Sequence, residues 1–194
     1  MFRSKVFPSE YQSEFTDLAF EYMDALYSTA LRLTHNQLDA EDLVQDTYMR
    51  AYRFYDKFEQ GTNFKAWIFK ILTNTFINRY RKKAREPQRV EFEKVEFSYS
   101  DELHEKNLED QVASNEKVYR EVFDDKVINA LGKLSDEFKL VVLLCDVHNF
   151  SYKEIASIIN KPIGTVMSRL SRGRKQLQKY LEEYARQEGY IKRE

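Results

Sequence analysis

The sequence has few of the residues that mark disulfide-bonded or turn-rich folds. It contains one cysteine, three prolines and five glycines in 194 residues. A single cysteine excludes an intramolecular disulfide framework and is typical of a reducing compartment. The small numbers of glycine and proline argue against an all-β fold and favour helices. We therefore expect an all-α protein of one large or two small domains.

Long apolar runs are also missing. The longest fully apolar run extends only from Leu140 to Cys145, and the opening sequence MFRSKVFPSE lacks the apolar core of a signal peptide. Neither segment is long enough to cross a bilayer. These absences predict a cytoplasmic protein that does not associate with a membrane.

The chain also lacks an excess of one charge, because its formal net charge is only −1. The charges are nevertheless segregated. Residues 60–85 hold seven bases, five aromatic residues and no acid, residues 160–180 hold six bases and no acid, and residues 86–117 hold ten acids against four bases. Basic charge with interleaved aromatics is typical of nucleic-acid binding. For 60–85 alone, an amphipathic helix with a solvated basic face explains the pattern equally well.

Apolar spacing and capping residues predict the helices of the first half. Apolar residues recur at three- and four-residue steps from Glu14 to Thr34, which indicates one amphipathic helix. Asp39 is the expected N-cap of a second helix, and Asn63 that of a third helix running from Phe64 to about Lys83. The acidic segment that follows shows no sustained period and is expected to be a flexible linker.

The second half shows the pattern of a helix-turn-helix. A helical period resumes near Tyr119, and Ser135 is the expected N-cap of the next helix. Ser151 and Glu154 have the spacing of a capping box for a short helix, YKEIASII. A turn over 160–164 and a long basic helix follow, as in DNA-binding helix-turn-helix proteins. A plain helical hairpin with a solvated basic face is the alternative.

Other residues offer weaker indications of chemistry. Cys145 and His148 have a C-x-x-H spacing that could supply half a zinc site, but the chain has no second pair, so a structural role at a helix end is favoured. The acids near the start of the second helix favour the helix dipole over a metal. No nucleophile–base set or phosphate-binding glycine loop is recognisable. We therefore expect no enzyme activity, no cofactor and no bound metal.

Three segments resemble the extracytoplasmic-function (ECF) sigma factors of bacterial RNA polymerase. They are DAEDLVQDTYMRAY, FEQGTNFKAWIFKILTNTFINRYRKK and FSYKEIASIINKPIGTVMSRLSRGRKQL. In this order they look like the family segments that bind core polymerase, melt and read the −10 promoter element, and read the −35 element. The resemblance spans roughly residues 14–186. The motifs TNTFINRYRKKAREPQ and YKEIASI…PIGTVMSRL are especially similar to sigma factors of thiol-oxidative stress, which are controlled by zinc-containing anti-sigma proteins.

The resemblance implies an organisation in five parts. These are a lead-in at 1–13, a sigma-2-like domain at 14–86, an acidic linker at 87–117, a sigma-4-like helix-turn-helix domain at 118–186 and a tail at 187–194. The partners it implies are promoter DNA, core RNA polymerase through its largest-subunit coiled coil and its flap region, and an anti-sigma factor. The linker would pass through the RNA exit path of the polymerase.

The resemblance also implies three groups of site residues. Core-polymerase binding would involve Asp42, Gln45, Asp46, Met49, Arg50 and Arg53. Binding of the −10 DNA would involve Gly61, Thr62, Asn63, Phe64, Lys65, Trp67, Asn74, Asn78, Arg79 and Lys82. Binding of the −35 DNA would involve Thr165, Ser168, Arg169, Ser171, Arg172, Arg174 and Lys175. Within the −10 group, Phe64 is the expected base contact, and Trp67 supports it from the core side.

The resemblance implies a sigma factor that directs promoter-specific initiation in a stress response, under anti-sigma control. Two other functions are weighed against it. A stand-alone helix-turn-helix regulator would leave residues 14–85 without a task. A nucleic-acid-processing enzyme would need a catalytic constellation that the sequence does not show.

Overall fold

The computed structural model describes residues 9–85 and 125–189. All regular structure in these two ranges is helical, which confirms the predicted all-α class. The expected acidic linker at 87–117 lies outside the described residues. The helices of the first range are α1 (Ser9–Glu21), α2 (Met23–Thr34), α3 (Gln37–Arg53), a 3₁₀ turn (Tyr55–Lys57) and α4 (Phe64–Arg85). Those of the second are α5 (Asp125–Gly132), α6 (Asp136–Val142), a π-helical turn (Leu143–Val147), α7 (Tyr152–Ile159) and α8 (Ile163–Gln187).

The helix expected from Glu14 to Thr34 is in fact two helices. α1 begins at Ser9, within the expected lead-in, and the chain leaves helical geometry at Tyr22, where φ is −107° and ψ is 7°. The Tyr22 ring packs against Phe64, with centroids 6.0 Å apart. Because the break is a single residue, the apolar spacing continues across it, and periodicity alone could not reveal it.

The predicted N-cap of α3 is also wrong. His35 adopts the left-handed conformation (φ 54°) and ends α2, so Asn36 is the first extended residue. The Asn36 side chain accepts a hydrogen bond from the Asp39 N–H at 3.0 Å. α3 therefore begins at Gln37, and Asp39 lies in its first turn, where its charge complements the helix dipole.

α4 begins as predicted and is the central helix of the first domain. The Asn63 side chain accepts a hydrogen bond from the Ala66 N–H at 3.0 Å, which confirms Asn63 as its N-cap. α4 buries Ile68, Phe69 and Leu72 completely. It packs against α3 on one side and against α7 of the second domain on another. These contacts with both domains fix the position of α4 and of its exposed side chains.

The second domain contains the predicted helix-turn-helix. Ser151 and Glu154 form the capping box of α7, with the Glu154 carboxylate accepting from the Ser151 N–H at 2.8 Å. Ser135 occupies the N-cap position of α6, although its side chain makes no capping hydrogen bond. Asn160 takes the left-handed conformation at the end of α7 (φ 51°). α8 begins at Ile163, so the last residues of the expected turn are already helical.

α6 and α8 approach each other closely at Gly173. A Cβ at this position would lie 3.0 Å from Val142 Cγ2 and 3.3 Å from Phe138 Cβ. A Cβ would therefore require these neighbours to shift by a few tenths of an ångström. The absence of a side chain at Gly173 thus permits the close approach of α6 and α8.

The two domains share a continuous core. The Phe69 ring of α4 contacts the rings of His148 and Phe150, with centroids 4.7 and 5.2 Å apart. His148 Nε2 lies 2.6 Å from the Thr29 hydroxyl of α2, and Lys139 Nζ lies 2.6 Å from His35 Nε2. Thr29, Lys139 and His148 are all buried. The expected structural role of His148 is therefore to join the domains.

We expect Gly173→Leu to lower the free energy of unfolding by about 1–3 kcal/mol, because the added side chain overpacks the α6–α8 contact. Urea unfolding followed by circular dichroism measures this change. Gly164→Ala is the matched control, since a Cβ there meets no atom within 4 Å. The control should be neutral or stabilised by up to about 1 kcal/mol. Equal effects of the two variants would contradict the close contact.

We also expect His148 to make stability depend on pH. Burial, with a smaller effect of Lys65 and Arg32, lowers the pKa of His148 to about 4. The unfolded chain binds this proton near pH 6.5, so the contribution of His148 is complete above that pH. As the pH falls from 6.5 to 4, the free energy of unfolding should decrease by up to about 3 kcal/mol. Urea titrations across this range measure the loss. His148→Gln should flatten the profile, and an unchanged slope in that variant would disprove the assignment.

Candidate nucleic-acid and polymerase interface

The predicted polymerase-binding residues form an outward face of α3. Asp42, Gln45, Met49, Arg50 and Arg53 are exposed, and Asp46 is half-buried. Met49 is 57% exposed, which is unusual for a residue of its size. The face is therefore a mixed polar and apolar surface suited to a protein partner.

Leu38 is an apolar residue of this face that the sequence analysis did not select. It is 73% exposed and lies four and seven residues before Asp42 and Gln45, on the same side of the helix. The sequence signal that could have identified Leu38 is its helical spacing from Asp42 and Gln45, which places it on the same face of α3. Leu38 and Met49 lie about 16 Å apart along the helix axis, with Asp42 and Gln45 between them, so the face carries two apolar side chains among polar ones.

The loop before α4 presents three of the predicted −10 residues to solvent. Gly61, Thr62 and Asn63 are all exposed. Gly61 has a φ of 81°, a conformation that favours glycine. The Thr62 hydroxyl donates a hydrogen bond to the Glu59 carbonyl at 2.6 Å and so stabilises the turn. The loop is thus open to solvent, and the Asn63 amide donates a hydrogen bond to Glu154 Oε1 at 2.8 Å.

Phe64 does not present the exposed ring that was expected. It is only 5% exposed, and it is enclosed by aromatic rings at centroid distances of 5.3–6.4 Å. These rings belong to Phe15, Tyr22, Tyr55, Phe58 and Trp67. The expectation that Phe64 stacks on a base is thus corrected, because its faces are covered. Trp67 is half-buried in the same cluster, 5.6 Å from Phe64, which agrees with the supporting position expected for it.

Farther along α4, Asn74 and Asn78 are exposed, whereas Arg79 has protein partners. Arg79 Nη2 donates to Asp46 Oδ2 at 2.5 Å and to the Asp42 carbonyl at 3.2 Å. This ion pair links a predicted DNA-binding residue to a predicted polymerase-binding residue. Lys82 lies within α4, and its side chain is outside the described part of the structure.

The predicted −35 residues line the outer side of α8. Ser168, Ser171, Arg172, Arg174 and Lys175 are exposed, and Thr165 and Arg169 are half-buried. Arg169 pairs with Glu137 at 2.8 Å, and Arg174 donates two hydrogen bonds to Asp146, at 2.5 and 3.1 Å. The hydrogen bonds that Arg174 donates to Asp146 raise the pKa of Arg174 further above its usual range. Arg172 is the exposed base at the centre of this surface.

The half zinc site suggested by Cys145 and His148 receives no further ligand from the part of the chain that the structure describes. Within 9–85 and 125–189, no group of three or more histidine, cysteine, aspartate or glutamate side chains is arranged to hold a metal. Cys145 Sγ lies 3.6 Å from Arg174 Nη2, and burial raises the pKa of its thiol. His148 instead contacts Thr29. In the same described ranges, no helix is long and apolar enough to cross a membrane.

Residues of both predicted DNA-binding groups line one cleft between the domains. Asn74 and Asn78 line it from α4, and Arg169 and Lys161 line it from the helix-turn-helix. The cleft has a volume of about 360 Å³. In this arrangement the two basic segments thus lie next to each other.

Each half of the chain matches the model of a known protein family. Residues 18–86 match the model of sigma-70 region 2, and residues 124–177 match that of sigma-70 region 4. The first match contains α3 and α4, and the second contains the helix-turn-helix.

Curated proteins give the same result over most of the chain. The ECF RNA polymerase sigma factor SigW of Bacillus subtilis is 31% identical over 88% of this chain and 90% of its own. The ECF sigma factor SigE of Mycolicibacterium smegmatis is 33% identical over 87% of this chain, which spans 62% of the length of that relative.

A solved structure has a related fold. The sigma factor RpoE of Bartonella quintana, in complex with the anti-sigma factor NepR, is similar with a TM-score of 0.66 and 33% identity. The match covers 87% of this chain and 97% of that one. These matches, together with the α3, α4 and helix-turn-helix segments, show that the chain belongs to the ECF family of RNA polymerase sigma factors.

Proposed function

We propose that this protein is a sigma factor, which binds core RNA polymerase and directs it to promoters by reading their −35 and −10 elements and helping to open the DNA. The observation that carries the proposal is the presence of three separate surfaces on one chain. α3 offers a mixed apolar and polar face, the loop and exposed side of α4 offer amides and a glycine turn, and α8 offers an exposed basic side. Each surface suits a different part of the task.

The exposed face of α3 is the proposed polymerase-binding surface. Leu38 and Met49 supply apolar contact area, and Asp42 and Gln45 supply polar contacts between them. Such a mixed patch of apolar and polar side chains has a composition found in protein–protein interfaces. Its partner would be the coiled coil of the largest polymerase subunit, with the helix-turn-helix domain binding the flap region.

The loop Gly61–Asn63 and the exposed side of α4 are the proposed reader of the −10 element. A base that leaves the duplex loses stacking worth a few kcal/mol, which a pocket must offset by contacts to its edges and faces. The Thr62 hydroxyl and the Asn63 amide can contact base edges, and Asn74 and Asn78 can contact the neighbouring strand. Phe64 and Trp67 would then hold the shape of the loop from below.

α8 is the proposed reader of the −35 element. The N-terminal part of a recognition helix enters the major groove, where an arginine can bind the O6 and N7 atoms of guanine. Arg172, Ser168 and Ser171 are suitably exposed for base contacts. Arg169, Arg174 and Lys175 would bind phosphates, the first two after exchanging their carboxylate partners.

We propose that the chain acts without catalysis of its own and works in the cytoplasm, where the polymerase is. A stand-alone helix-turn-helix regulator is not favoured, because such a protein needs neither the α3 face nor α4. We divide the chain by these roles. A sigma-2-like domain at 14–86 binds polymerase and reads the −10 element, a linker spans 87–117, and a sigma-4-like domain at 118–186 reads the −35 element.

An anti-sigma factor is the proposed regulator, as for the Bartonella relative that was solved with one. We further propose that the inducing signal is thiol oxidation and that the inhibitor contains zinc. This finer assignment is supported by the motifs TNTFINRYRKKAREPQ and YKEIASI…PIGTVMSRL. The native inhibitor should be isolated on the tagged chain, its zinc measured, and transcription assayed with and without the oxidant diamide. An inhibitor without zinc, or one that diamide does not release, would contradict the assignment.

Run-off transcription with purified core polymerase tests the main proposal. A library of genomic fragments from the source organism serves as template, since the promoter sequence is not specified by the chain. Addition of the protein should give discrete transcripts with a common upstream sequence. Polymerase that binds the chain yet yields no new start sites would overturn the proposal.

We expect Arg172→Ala to weaken −35 duplex binding by the polymerase–sigma complex by about 1–3 kcal/mol, because it removes a central base contact. Fluorescence anisotropy with promoter duplex measures the affinity. Arg174→Ala should have a smaller effect, since Arg174 is already paired with Asp146. Core-polymerase binding should be unchanged in both variants. Loss of polymerase binding in Arg172→Ala would refute the assignment of this surface.

We expect Met49→Asp and Leu38→Asp each to weaken core-polymerase binding by at least about tenfold, because burying a charge where an apolar side chain contacts the partner is costly. Affinity is measured by titrating labelled protein with core polymerase. Glu41→Gln is the control on the same helix, because Glu41 is exposed about 80° around the helix axis from Met49. Wild-type affinity in both aspartate variants would rule out the α3 face.

A further inference from the structure

Apolar side chains interrupt the basic surface of α8 near its start. Ile163 is 43% exposed and Met167 is 52% exposed, although residues of these two types are most often buried. They are four residues apart and therefore lie on the same side of the helix, one turn from each other. The arginine, lysine and serine contacts proposed for the −35 element use neither of them. This exposed pair therefore has no task in the function proposed so far.

Met167 lies at one edge of the proposed −35 reading surface. With about 100° of rotation per residue, Ser171 lies about 40° and Ser168 about 100° around the helix axis from Met167. Arg172 lies about 140° from Met167 in the same direction. All four side chains are exposed, and the two serines lie between the methionine and the arginine. Met167 is also the fifth residue of α8, within the N-terminal part that a recognition helix inserts into the major groove.

The surroundings of Met167 favour DNA over a protein as its partner. Residues 160–180 hold six bases and no acid. The shallow groove beside Met167 is lined by Tyr152, Arg174 and Lys175, among others. The centres of protein–protein interfaces are depleted of charged residues, whereas a phosphate backbone attracts cations. An apolar side chain surrounded by bases and hydroxyls therefore complements a DNA groove.

The chemistry of methionine selects one base among the four. Methionine has no hydrogen-bond donor, and its sulfur is only a weak acceptor. The major-groove edges of guanine, adenine and cytosine present acceptors or amino donors, which a methionine would leave without partners. Thymine adds an apolar group to this groove, its 5-methyl. When this methyl contacts Met167, both apolar surfaces leave water together, so thymine is the base that Met167 favours.

We propose that Met167 is a specificity-determining residue of the −35 reader, and that it recognises one thymine of the element through contact with the 5-methyl group. The inference rests on the proposed sigma-factor function and names a base contact for the same surface. Ser168 and Ser171 then contact the DNA between this thymine and the base pair read by Arg172. Cytosine, which lacks the methyl and presents an amino donor, is disfavoured at this position.

The test uses deoxyuridine, which differs from thymidine only in lacking the 5-methyl group. Duplexes are first selected from a random library by the complex of the full chain with core polymerase, or by the full chain alone if no complex forms. Each thymine of the selected sequence is then replaced in turn by deoxyuridine, and fluorescence anisotropy measures the affinity. The unmodified protein is compared with Met167→Ala and Met167→Leu. Gln178→Ala is the control, because Gln178 is exposed on α8 about three turns beyond Met167.

We expect deoxyuridine at one particular thymine to weaken binding by the unmodified protein roughly fourfold, the factor that corresponds to about 0.8 kcal/mol for one buried carbon group. Met167→Ala should weaken binding to the unsubstituted duplex by a similar factor, and deoxyuridine at that thymine should then have no further effect. Met167→Leu keeps an apolar side chain and should keep the sensitivity. Gln178→Ala should match the unmodified protein at every position.

Four results would overturn the proposal. They are a selected element that contains no thymine, a deoxyuridine series without an effect at any position, equal sensitivity of Met167→Ala and the unmodified protein, and a loss of polymerase binding in Met167→Ala. The last result would show that Met167 contacts a protein.

Run-off transcription with the same preparations separates this proposal from the main one. Discrete transcripts without a deoxyuridine effect contradict only the role of Met167. A chain that binds no polymerase but shows the expected deoxyuridine pattern contradicts the sigma-factor function and supports the role of Met167. Selection of no duplex under either condition contradicts both.

Discussion

The packing of α4 against the second domain is the contact on which the rest of the structure depends. Phe69 is buried against His148 and Phe150, and His148 also contacts Thr29. Burial of the imidazole lowers the pKa of His148 to about 4. Because α4 also carries the proposed −10 reader, the contact that stabilises the fold also fixes the position of that helix relative to the second domain.

A second link joins the proposed polymerase and DNA surfaces inside the first domain. Arg79 of α4 is paired with Asp46 of α3, and each residue belongs to a different proposed surface. Their charges neutralise each other in the free chain, so neither is fully available to a partner.

The aromatic cluster around Phe64 explains how an exposed polar loop is held in one shape. Five rings enclose Phe64 directly beneath Gly61, Thr62 and Asn63. Three of the five contacts, those with Phe15, Tyr55 and Phe58, are edge-to-face, a geometry that aromatic pairs prefer. Phe64 and Trp67, two of the aromatic residues that first suggested base stacking, thus pack in the core beside the loop.

The sequence by itself determined the features that depend on nearby residues. Helical periodicity, the Asn63 cap and the Ser151–Glu154 capping box are set within one or two turns, so the all-α class and the helix-turn-helix could be predicted. The break at Tyr22, the burial of Phe64 and the pairing of Arg79 with Asp46 could not, because each depends on residues distant in sequence. The bridges from His35 and His148 span more than a hundred positions. Only the tertiary structure decided which basic and aromatic residues face solvent and which join the domains, since burial is a property of the assembled core.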